Sequence, residues 1–172
     1  MTQPHYILLP VNPIFIAFSL ALAFLLNFLP WGGFIAVPDF VALVLVFWSI
    51  HQPRKVGIGV AFAMGLLMDV HDAIHLGENA LAYTLLTYFA ITIHRRVLWF
   101  HPLTQSLYVF PLFLFVQCLQ ITVRLIVAPD AHFPGWLYFS ESIVTTALWP
   151  IATLILLAPQ RRAINKDDTR PI

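Results

Sequence analysis

The ionisable residues are few, and their spacing sets out which chemistries are open. Asp69, His71, Asp72, His75 and Glu78 crowd one short stretch. His71 and His75 stand at i, i+4, a spacing that would present two imidazoles to a metal ion on one helix face. A zinc site needs a fuller ligand set than this pair supplies, so a solvated polar loop is the plainer account. Asp69 with His71 is the nearest approach to an acid–base pair, which an intramembrane enzyme acting on lipid would need. Ser106, Ser140 and Ser142 have no nucleophile motif around them, and Gly32-Gly33 after Pro30-Trp31 reads as a turn rather than a phosphate loop. Cys118 is the single cysteine, which excludes an intrachain disulfide framework and a cysteine-based zinc ribbon. No catalytic residue, metal ligand or cofactor is assigned.

A second group lies further along. Gln117, Gln120 and Arg124 follow i, i+3, i+7 spacing and so share one helix face. In a membrane such a stripe faces protein or water rather than lipid. Arg124 either pairs with a carboxylate at similar depth (Asp39, Asp69 or Glu141) or snorkels alone to the headgroups.

The elements that position these groups follow from composition. Of 172 residues, 60% are hydrophobic and 10% charged, and the mean hydropathy is +0.84. A soluble domain runs at roughly 25% charged, so the composition predicts a multi-spanning membrane protein. The formal net charge of +1 recruits no nucleic acid. A span needs about 20 apolar residues. Six segments qualify, at about 11–29, 34–50, 56–72, 80–94, 103–127 and 142–158, in one all-α membrane domain covering residues 1–172. A polar tail, 161–172, follows them, and its basic charges suit anionic lipid headgroups. Ala21-Leu22-Ala23 resembles a signal-peptide cleavage triplet. No Lys or Arg precedes it and the apolar run continues past it, so the first segment reads as a span.

The basic residues orient the spans. Arg54 and Lys55 lie between the second and third spans, Arg95 and Arg96 between the fourth and fifth, and Arg161, Arg162, Lys166 and Arg170 after the sixth. With both termini cytoplasmic, eight of the nine basic residues fall on the cytoplasmic side, as the positive-inside rule requires. Asp39, Asp69, Asp72, Glu78, Asp130 and Glu141 then fall on the outer side, in loops or at span ends.

Span three carries Gly57, Ala61, Gly65 and Asp69 at four-residue intervals. Three small residues on one face make a groove for a second helix, from the same bundle or from another protein. The stripe ends on Asp69. If span three continues for a full membrane width, Asp69 is an intramembrane acid, a site or a paired structural group. If the helix ends early, Asp69 is solvated at the interface.

Three stretches together resemble a known family. Pro38-Asp39 before an apolar run to Phe47-Trp48 is similar to the second span of the rod shape-determining protein MreD family. Gly65-Leu66-Leu67-Met68-Asp69, then Leu76-Gly77 and Ala80-Leu81-Ala82-Tyr83, resembles that family's most recognisable stretch. Leu148-Trp149-Pro150, an apolar run and Arg161-Arg162 resemble its last span and tail. The resemblance implies a non-enzymatic protein of the bacterial cytoplasmic (inner) membrane, needed for lateral peptidoglycan synthesis and rod shape. It implies association with the bitopic protein MreC and, through it, with the class B penicillin-binding transpeptidase and RodA of the elongation complex. The MreB filament would lie on the cytoplasmic side. It further implies a fold similar to the six-helix substrate-binding subunits of energy-coupling-factor vitamin transporters. In the alternative reading, a vitamin-binding subunit of such a transporter, Asp69, Glu78, Arg124 and Trp136 would be the pocket residues.

Overall fold

The computed structural model describes residues 7–8, 11–31, 36–72, 76–127, 133 and 135–162, with the backbone alone at 7–8 and 161–162. The Gly32-Gly33 turn, His75, Asp130 and the tail beyond residue 162 lie outside the described residues. Six α-helices account for most of the described chain: α1 (Pro13–Asn27), α2 (Phe40–His51), α3 (Ile58–Asp72), α4 (Glu78–Val97), α5 (Pro102–Val127) and α6 (Ser140–Leu157). A short 3₁₀ turn, Trp136–Phe139, leads directly into α6, so Glu141 sits in a helical first turn rather than in the expected loop. Two residues at each end, β1 (Ile7–Leu8) and β2 (Arg161–Arg162), pair antiparallel.

Local signals explain where the helices begin. Asn12 caps α1, its side chain accepting from the Ile14 N–H at 2.9 Å, and Pro13 occupies the first helical position, where no N–H is needed. Asp39 caps α2 in the same way, accepting from the Ala42 N–H at 2.9 Å. Before α4 the chain turns at Gly77 with φ +103°, a conformation that favours glycine. Glu78 opens α4, and His94, Arg95 and Arg96 close it, each matching the sign of the helix dipole at its end.

The 12-residue helix α2 forms the axis of the bundle. Every residue from Val41 to Ile50 is buried, as expected of a helix that is apolar all round. α1, α4 and α6 pack on it, while α3 packs on α4, and α5 lies between α4 and α6. Trp48 and Trp149 are fully buried near this axis. Their indole N–H groups donate to Ser19 Oγ at 2.8 Å and Gln105 Oε1 at 3.2 Å, so neither is stranded in an apolar core. The outside of the bundle is equally apolar: Ile14, Phe18 and Leu22 on α1, Leu103, Leu107 and Ile126 on α5, and Ile151 and Ile155 on α6 are all exposed. α5 and the stretch Trp136–Gln160 are long and apolar enough to cross a membrane, whereas α1 and α2 are apolar but shorter.

The small-residue stripe of α3 turns inward. An added Cβ at Gly65 would stand 2.4 Å from the Ala80 Cα and 2.6 Å from the Asn79 carbonyl oxygen, both backbone atoms of α4. Ala61 is fully buried. At Gly65 the groove is therefore filled by α4 of the same chain. Gly57 is not part of that groove: it precedes α3, accepts hydrogen bonds from the Val60 and Ala61 N–H groups, and has only the Pro53 carbonyl at 4.0 Å from a built Cβ. The four-residue spacing continues past the point where the helix starts, which is why Gly57 looked like a member. Gly65→Ala should consequently destabilise the fold by about 1–3 kcal/mol through forced separation of α3 and α4, while Gly57→Ala should leave it nearly unchanged. Thermal melting of the purified variants in detergent, followed by monodispersity on gel filtration, distinguishes the two.

Candidate functional site

The polar side chains collect at one end of the bundle, where α2, α4 and α6 begin and α3 and α5 end. Asp69, 4% exposed, sits in the last turn of α3. Its carboxylate accepts hydrogen bonds from the backbone N–H groups of Gly77 at 2.8 Å, Asn79 at 2.7 Å and Ala80 at 3.2 Å. The first N–H groups of any helix have no intrahelical acceptor, and Asp69 supplies one for α4 across the turn. It is a buried structural group with no solvated face, and its oxygens are committed to amides rather than to His71. His71 instead meets Asp72 through Nδ1 at 3.0 Å and packs its ring against Phe28. Among the described residues no group of three His, Cys, Asp or Glu side chains is placed to hold a metal ion.

Asp39 organises the neighbouring corner. Beyond capping α2, it accepts from Asn27 Nδ2 at 3.1 Å and from the Tyr83 hydroxyl at 2.7 Å. Its own N–H donates to Thr145 Oγ1 at 3.1 Å, and Asn27 Oδ1 accepts from the Phe40 N–H. One aspartate thus connects α1, α2, α4 and α6.

Arg124 is paired. Its Nε donates to Glu78 Oε1 at 2.6 Å, with side-chain exposures of 32% and 2%. The partner is none of Asp39, Asp69 and Glu141. Glu78 had been placed in a loop by the expectation that the fourth helix starts at Ala80. α4 starts at Glu78, which brings that carboxylate level with the last turns of α5. The rest of the α5 stripe is also engaged: Gln120 Nε2 donates to Asn79 Oδ1 at 2.7 Å, and Gln117 Nε2 donates to Glu141 Oε2 at 3.0 Å and to the Tyr138 carbonyl at 3.1 Å. Ser142 Oγ donates to Gln117 Oε1.

These groups surround a cavity of about 170 Å³. Asn79, Tyr83, Gln120 and Met68 form its buried inner wall; Asp72 and Arg124 reach the surface; Asp39, Tyr138 and Glu141 lie between. Of the four pocket residues expected for a transporter subunit, only Arg124 lines it. Asp69 faces the α4 amides and Trp136 is exposed. A larger cleft of about 280 Å³ between α1 and α6 has no comparable chemistry, since its one polar residue, Ser19, is already bonded to Trp48.

Asp39 and Asp69 hold helices in register. Comparison with known proteins agrees with a structural role. Residues 8–158 match the family described as rod shape-determining protein MreD. The chain belongs to the MreD family. It is also similar to the rod shape-determining protein MreD of Haemophilus influenzae, with 27% identity over 147 residues, covering 82% of this chain and 87% of that protein. No solved structure matches.

In this MreD-family chain the described Lys and Arg residues other than Arg124 occupy the opposite end of the bundle. Arg54 and Lys55 lie in the exposed turn between α2 and α3, and Arg95 and Arg96 in the exposed last turn of α4. Lys55 Nζ donates to the Val11 carbonyl at 2.5 Å, tying that turn to the start of α1. Arg161 and Arg162 pair with Leu8 and Ile7.

Removing Arg124 takes away the cation bonded to the buried Glu78 Oε1. Arg124→Ala should lower stability by about 1–3 kcal/mol, less than for a fully buried pair because the guanidinium is a third exposed. Arg124→Ala combined with Glu78→Gln should cost less than the sum of the two single changes. A double-mutant cycle of melting temperatures in detergent reads the coupling, and simple additivity would mean the pair contributes nothing.

Proposed function

We propose that this protein is a non-enzymatic, multi-pass component of the bacterial cytoplasmic membrane. All six helices span it, both termini are cytoplasmic, and the protein supports rod shape and lateral peptidoglycan synthesis within the elongation complex. Its direct partner in this reading is MreC, with the class B penicillin-binding transpeptidase, RodA and MreB as further members of the assembly. The family match across residues 8–158 carries the reading of function.

The topology rests on charge and on the terminal strand pair. β1 and β2 meet, so the two ends of the described chain lie at one face of the bundle, which supports an even number of crossings. That face carries Arg54, Lys55, Arg95 and Arg96, and the other carries Asp39, Asp69, Asp72, Glu78 and Glu141. Charge separated in this way matches a basic cytoplasmic side. The shorter helices then cross with the help of their flanking residues and a locally thinned bilayer. The exposed apolar surface of the bundle suits lipid and partner helices.

Depletion in the bacterium that encodes the protein should convert rods to spheres and halt lateral wall insertion, seen by pulse labelling of new peptidoglycan. MreC should copurify after mild detergent extraction. Cells that stay rod-shaped with normal insertion would refute the functional reading. The topology has its own test: with Cys118 replaced, cysteines placed at positions 54 and 96 should resist a membrane-impermeant maleimide in intact cells, and one at position 72 should react.

A further inference from the structure

The acids at the polar end divide by what their oxygens are doing. Asp39 and Asp69 are occupied as helix caps and cross-links. Asp69 does not line the cavity. Glu141 does line it, and among the described residues it accepts one hydrogen bond, from Gln117. Asp72 stands at the exposed side, bonded to His71 and Asn79. The cavity thus carries three carboxyl groups, Asp39, Asp72 and Glu141, against the single guanidinium of Arg124. Acidic groups outnumber basic ones here, and a bound cation favours their ionised form.

The cation that fits is organic. A metal ion would need the carboxylates to converge, and among the described residues no such convergence exists. They are instead spread around about 170 Å³ of space, below the roughly 300–1,000 Å³ typical of drug-sized ligands. Tyr83, Tyr138 and Met68 add aromatic and thioether surface to the lining, against which the face of an ammonium is attracted, while its N–H donors need the carboxylates beside it. Arg124 spends its Nε–H on Glu78, and a guanidinium carries further N–H donors, so an anionic group is accommodated on the same ligand.

We propose that this cavity binds a small zwitterion in which a primary ammonium lies close to an anionic group, the chemistry of ethanolamine phosphate. The ammonium is held by Glu141 and Asp72, and the anion lies toward Arg124. This chemistry occurs both on a lipid headgroup and on free small molecules. The inference is independent of the role in cell shape.

Two probes separate the sources. Glycerophosphoethanolamine is titrated into the detergent-purified full chain by calorimetry. Retention of phosphatidylethanolamine is read by native mass spectrometry from nanodiscs made of equal parts phosphatidylethanolamine and phosphatidylglycerol. Binding of the soluble probe, weakened about tenfold or more in Glu141→Gln or Asp72→Asn, supports a free ligand. Selective retention of phosphatidylethanolamine alone, reduced to a similar degree in those variants, supports the headgroup. Asp72 is at the exposed side, so Asp72→Asn serves where Glu141→Gln lowers the melting temperature. The proposal is overturned if the unmodified protein binds neither probe, or if variants that melt like it bind equally well.

Discussion

The first amides of α4 have no carbonyl within their own helix, and one carboxylate from α3 receives two of them together with the amide of the capping Gly77. Each unsatisfied amide in a low-dielectric surround costs several kcal/mol, so this contact is a condition for α4 to exist where it does. It demands that α3 and α4 approach closely, which is why Gly65 lies against the Ala80 backbone with no room for a methyl group. It also demands a sharp reversal between the two helices, which Gly77 provides with its positive φ. With that hairpin set, Tyr83 reaches Asp39, Asn79 reaches Gln120, and Glu78 reaches Arg124. The junctions of α4 with α2 and α5 therefore inherit their register from a single aspartate.

Much of this was legible before any coordinates, and the parts that were not have physical reasons. Long apolar runs separated by short polar ones announce helices, and six were found. Small residues at four-residue spacing announced a close helix contact, and Gly65 makes one. Spacing alone does not reveal where a helix starts, so Gly57 was grouped with residues it does not join. The same limit hid the partner of Arg124. A two-residue difference in the start of α4 moved Glu78 from a supposed loop into a helix. The spacing of Gln117, Gln120 and Arg124 points to one polar helix face turned to protein or water, because three residues on one face fix direction without fixing a boundary. The role of Asp69 was narrowed to two alternatives by counting residues across a membrane. Only tertiary placement of the α4 amides decided between them. The cavity was not legible, since its walls come from α2, α3, α4, α5, α6 and the 3₁₀ turn before α6.

The distribution of charge has one cause at each end. Helix N-termini carry a partial positive charge and favour carboxylates, and three helices begin at the polar end. Asp39 and Asp69 cap two of them, and Glu78 and Glu141 lie in first turns. At the other end, His94, Arg95 and Arg96 occupy the last turn of α4, where the dipole has the opposite sign. An arrangement favourable to the helices is therefore also the one that separates basic from acidic faces across the bundle.

Dipoles and caps account for a carboxylate at the start of a helix, but they do not require a cavity beside it. A buried acid serving only as a cap is best enclosed by its donors, as Asp69 is. Glu141 differs: it is in the first turn of α6, yet among the described residues its one hydrogen bond comes from a side chain, Gln117, and it borders open space instead of amides. Filling that space with an apolar side chain would leave the carboxylate with Gln117 alone and shut off from solvent, which is costly for a buried acid. The cavity and Glu141 therefore support each other: the space gives the acid room for a polar partner, and the acid gives the space its affinity for a cation. That mutual dependence separates this corner from the remainder of the polar network, where hydrogen bonds between helices account for the groups present.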